Sequence, residues 1–88
     1  MCTYATVQCP VEGSAKGPGG PWQRMSEATV YFDHPVHALA EHTVNIDLTP
    51  AGAGAQQRVA VELTAASARA LVAAIEAALA SAPESMTV

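Results

Sequence analysis

The spacing of the apolar residues changes once along this chain, at Thr64, and that change limits the fold more than any other feature. Upstream, in "RVAVEL", Val59, Val61 and Leu63 alternate with Arg58, Ala60 and Glu62, the period of two that a half-buried strand requires. Downstream, in "AASARALVAAIEAALAS", Ala68, Leu71, Val72, Ile75, Ala78 and Leu79 recur at helical spacing and leave Arg69 and Glu76 on the other side. Thr64 stands where an N-cap belongs, and Pro83 stops the helix.

Three more strands are expected before that point. "CTYATVQCPVEG" is rich in strand formers, and Pro10 within it predicts an edge position or a bulge. "GSAKGPGGP" reads as loop. In "SEATVYFDH", Val30, Phe32 and His34 alternate with Thr29, Tyr31 and Asp33; in "EHTVNIDLT", His42, Val44, Ile46 and Leu48 alternate with Glu41, Thr43, Asn45 and Asp47. After Pro50, "AGAGAQ" is a flexible loop leading to the fourth strand. The expected architecture is α+β: a four-stranded antiparallel sheet with one C-terminal helix packed on a face, in two layers. Residues 1–82 form that single domain, and 83–88 form a flexible tail.

At 88 residues, a domain buries only about 60–65% of the surface its unfolded chain exposes. Here the apolar residues are dominated by Ala and Val, with one Trp, one Phe and two Tyr, so each contributes little buried area. Reinforcement by a second subunit or a bound metal is expected, and a homodimer or larger homo-oligomer is the expected state.

A net charge of −4, with Lys16, Arg24, Arg58 and Arg69 as the cations, excludes the clustered positive charge that phosphate backbones or anionic membranes require. No apolar run reaches transmembrane length, and "MCTYATVQCP" lacks the basic start and apolar centre of a signal peptide, so a cytoplasmic protein is expected. Cys2 and Cys9 lie seven positions apart on one expected strand, roughly 23 Å if extended, too far for a disulfide. Both are expected free, with Cys9 in the core beside Val7 and Ala5.

All three histidines fall inside nine positions of "YFDHPVHALAEHTVNIDL". His34 and His42 share the apolar phase of their strands at the ends nearest the connection, so their imidazoles are expected to face each other across a hairpin. His37 lies between them and can fold back to the same point. Three imidazoles would satisfy a divalent transition metal, whether copper, zinc, nickel or iron. Asp33 and Glu41 point to the opposite face and are candidates for orienting the ligands rather than joining them. A lone histidine at a strand end is more often hydrogen-bonded to backbone and nothing more; three together favour a shared ion. The HxxHxxxxH spacing is not the helical HExxH, and it echoes the strand motif of cupins only loosely, in a chain too short for a cupin barrel.

Removal of Met1 would leave Cys2 with a free α-amine beside its thiolate, a chelating pair and a possible nucleophile, so Cys2 is the candidate catalytic residue. The ordinary alternative is an inert cysteine at a strand start. "GSAKGPGGPW" is not a phosphate loop, because Lys16 precedes Gly17-Pro18 and a strand follows; a lid or intersubunit arm anchored by Trp22 fits better.

"MCTYATV", "GSAKGPGG", "ATVYFDHPVHALAEHTVNIDL" and "RVAVELTAASARALVAAIEAAL" together resemble a family of short, mostly uncharacterised bacterial proteins, chiefly of actinomycetes, classed as a domain of unknown function. The resemblance spans nearly the whole chain and implies no established activity. Two functional classes remain. One is a small metal-binding protein holding its ion on His34, His37 and His42, with a metal-dependent oxidoreductase as the enzyme class and Cys2 as extra ligand or reactive group. The other is a non-catalytic dimeric binding or assembly module for a small molecule or partner protein.

Overall fold

The computed structural model describes residues 5–36, 38–50 and 57–88. Four strands, β1 (Thr6–Ala15), β2 (Gln23–Asp33), β3 (Thr43–Pro50) and β4 (Val59–Leu63), form one antiparallel sheet in chain order. A helix, α1 (Ala65–Ser81), follows β4 and comes against β3 and β4, and residues Glu84–Met86 form one 3-10 turn. This is the expected α+β meander.

Alternation along the strands sorts the sheet into two chemically distinct faces. Val7 of β1 pairs with Val30, Val30 with Ile46, and Ile46 with Val61, so one apolar row runs across all four strands. Cys9, Ala28, Leu48 and Val59 make the next row, and Phe32, Val44 and Leu63 the one on its other side. The opposite face pairs Tyr31 with Asn45 and Asn45 with Glu62, and beside them Thr29 with Asp47 and Asp47 with Ala60.

Pro10 lies on the edge strand, next to a register shift between Pro10 and Gly13, so both consequences expected of it occur together. The first two strands reach further into the expected loop than their composition predicts. β1 runs through Gly13 to Ala15 and β2 begins at Gln23, so only Lys16–Trp22 connect them. There the backbone turns at Gly17–Gly20, with Gly20 N–H donating to Gly17 O (3.2 Å) and Gly19 at φ +70°. Pro18 ahead of a positive-φ glycine is the chemistry of a type II turn. Lys16 Nζ stands 5.5 Å over the Trp22 ring, a cation–π contact.

A second register shift, between Met25 and Glu27, inserts Ser26 as an extra residue of β2 opposite β3. One inserted residue moves every side chain beyond it to the other face. Met25 therefore pairs with Pro50 on the apolar side instead of following Glu27 to the polar one. Met25 and Ala28 are buried, 2% and 9% exposed, and Pro50 opposite Met25 is buried with them.

The helix is capped as expected: Thr64 Oγ1 accepts from Ser67 N–H at 3.1 Å. Its apolar stripe is not covered as expected. Ala65 and Ala68 are half-buried, while Leu71, Val72, Ile75 and Leu79 are between 42% and 56% exposed. Cys9 is likewise exposed rather than in a core. Strand parity correctly puts it on the apolar face, but among the described residues nothing covers that edge of the face, where Val7 is also 59% exposed.

Candidate functional site

Two features of the β2–β3 connection build the site. The first is a stack of rings at the end of the hairpin. Phe32 lies on the apolar face beside the last residue of β2, and His42 lies against it with ring centroids 5.7 Å apart and planes inclined by 10°. His34 lies on His42 in turn, with centroids 4.7 Å apart and planes inclined by 29°. The structure thus brings together the two histidines expected to meet across the hairpin.

The stack is held from the backbone. His34 Nδ1 lies 2.8 Å from the Glu41 carbonyl oxygen. A carbonyl oxygen only accepts, so Nδ1 carries the hydrogen, and in the neutral ring Nε2 bears the lone pair. Asp33 Oδ1 accepts the His34 backbone N–H at 2.7 Å. Glu41 and Asp33 both contact His34, Glu41 through its backbone carbonyl and Asp33 through the His34 main-chain N–H. His34 is exposed and His42 half-buried.

Glu62 supplies the second feature. Its two carboxylate oxygens accept the backbone N–H groups of Val36 (2.5 Å) and Ala38 (3.0 Å). The connection leaves β2 and reaches β4, two strands away, so it crosses β3 on the polar face. Thr43 and Asn45 of β3 are consequently buried although polar, and Thr43 Oγ1 donates to Asn45 Oδ1 at 2.6 Å. His37 and Cys2 lie outside the described residues, so the third expected metal ligand and the candidate catalytic residue have no assigned position. Among the described residues no three His, Cys, Asp or Glu side chains are grouped to hold an ion.

Beneath the crossing is a half-open cavity of about 760 Å³ on the polar face, lined among others by Tyr31, His34, Asp47, Arg58 and Glu62. Its floor is an ordered network. Tyr31 Oη donates to Asp47 Oδ2 at 3.2 Å, and Arg58 Nε meets the other oxygen at 3.4 Å. Burial raises the Tyr31 phenol above its ordinary pKa of 10.0, and the Asp47 carboxylate raises it further by charge and hydrogen bond. Apart from His34, none of these residues was expected to line a site. The available signal was that Tyr31, Asp47, Arg58 and Glu62 all fall on the polar phase of three consecutive strands.

The family's sequence profile matches residues 1–88. The chain belongs to the family of unknown function DUF6295. No curated protein and no solved structure gives a match. Membership of DUF6295 carries no reaction with it, so chemistry rests on the ring pair and the cavity beside it. Among the described residues no helix is long and apolar enough to cross a membrane.

Proposed function

We propose that this protein binds one divalent transition-metal ion between His34 and His42, with His37 as the third ligand. The observation that carries this reading is the 4.7 Å separation of the two rings. An ion about 2.1 Å from a ring nitrogen sits about 3.2 Å from that ring's centre, so two imidazoles on one ion have centres about 4.5–5.2 Å apart. Histidine χ2 is a broad torsion, so the His42 ring can turn out of the stack toward the ion while His34 keeps its bond to the Glu41 carbonyl.

The His34 tautomer supports the same reading. A ligating histidine usually gives its other N–H to a carbonyl or carboxylate, and His34 Nδ1 already has the Glu41 carbonyl. Glu62 fixes the main chain on both sides of position 37. A bound copper, zinc, nickel or iron ion would supply Lewis-acid or redox chemistry next to the polar cavity, which shares His34 in its wall and suits a small polar molecule. In this reading the enzyme class is a metal-dependent oxidoreductase, with Cys2 as extra ligand or reactive group, in a cytoplasmic protein whose cysteines stay reduced.

Elemental analysis of untagged protein tests the proposal: close to one transition-metal ion per chain is expected, falling to trace levels in His34→Ala and His42→Ala. Metal-free protein that also fails to take up added zinc or copper would overturn it.

A further inference from the structure

We infer that the open apolar face of the sheet and the exposed stripe of α1 form one interface, and that its occupant is a second copy of this chain. The row Val7, Val30, Ile46 and Val61 crosses all four strands, and Val7 at one edge is 59% and Val61 at the other 37% exposed. On the helix Leu71, Val72, Ile75 and Leu79 are left about half exposed at helical spacing. Isolated apolar residues on a surface mean little, but a full row together with a full stripe is a surface built to be covered.

Area identifies the occupant. The chain exposes 6599 Å², whereas a compact protein of 9.0 kDa exposes about 4,900 Å². The surplus over two copies falls within the roughly 2,000–5,000 Å² that obligate homodimers bury. The molecule is correspondingly extended, with a radius of gyration of 14.4 Å against about 12 Å for a compact domain of this length.

A two-fold axis resolves both deficits at once, because the helix stripe of each copy can cover apolar surface of the other. The rows that meet there contain no charged side chain, so closing them leaves no ion unpaired. Arg69 and Glu76 stay outside, away from the stripe. The polar face, with its cavity, remains open to solvent.

Sedimentation of the untagged full chain tests this. The expected species has twice the 9.0 kDa mass, and its thermal midpoint rises with protein concentration because unfolding is coupled to dissociation. Ile75→Glu should raise the dimer dissociation constant by about a hundredfold or more, whereas Arg69→Glu leaves it within a few-fold. Where Ile75→Glu does not fold, the concentration dependence of the wild-type midpoint carries the test. A folded 9.0 kDa monomer with a concentration-independent midpoint would overturn the inference, as would a dimer indifferent to Ile75→Glu.

Discussion

The rings of His34 and His42 lie 4.7 Å apart, centre to centre, across a connection that leaves the sheet, crosses β3 and is tied down on β4. The register that pairs Asp33 with Thr43 sets the two residues opposite each other, and Glu62 ties down the connection between them.

Replacing Glu62 tests that tie. Glu62→Ala removes both acceptors of the Val36 and Ala38 N–H groups and should destabilise the fold by about 1–3 kcal/mol, since bonds to a charged group are the stronger kind. Metal uptake should weaken more than tenfold, with the helix signal in circular dichroism retained. Glu62→Gln, which keeps one acceptor, should fall between. Unaltered uptake in Glu62→Ala would mean that the connection holds its shape without the anchor.

The Tyr31 phenol gives a pH signature. Its folded pKa lies above the ordinary 10.0, through burial first and Asp47 second. A raised folded pKa favours the protonated form in the native state, so its contribution to stability is complete below about pH 10 and is lost as pH rises through the folded value. Absorbance titration at alkaline pH should show a phenol ionising later than free tyrosine, and Tyr31→Phe should remove that late step and flatten the alkaline loss of stability. A tyrosine signal unchanged by Tyr31→Phe would refute the assignment.

Thr64 closes the helix N-terminus with its hydroxyl on Ser67 N–H. Thr64→Ala should cost about 1 kcal/mol, read as a lower denaturant midpoint with unchanged slope. Thr64→Ser should restore most of it.

Much of the fold was legible because strand parity and helix period are local properties. The phases of Val30, Ile46 and Val61 place the apolar row, Pro10 marks both the edge and the irregularity beside it, and Thr64 marks the helix start. The approach of His34 to His42 follows from the same parity. What was not legible depends on partners remote in sequence. Nothing near Ser26 announces the bulge that turns Met25 inward, because the bulge exists only relative to β3. Glu62 looks like an ordinary polar-phase residue until the β2–β3 connection is seen to end on it. Cys9 and the α1 stripe read as core because an apolar phase predicts which way a side chain points, and burial also needs a layer to cover it.

The most direct measurement is a zinc titration of untagged protein followed by the histidine ring resonances in NMR. The account predicts that His34 and His42 shift together and saturate at one equivalent per chain, and that His42→Ala abolishes the shift of His34. Ring signals that stay in place through several equivalents, or a His34 response untouched by His42→Ala, would contradict a shared ion and leave the ring pair as packing against Phe32.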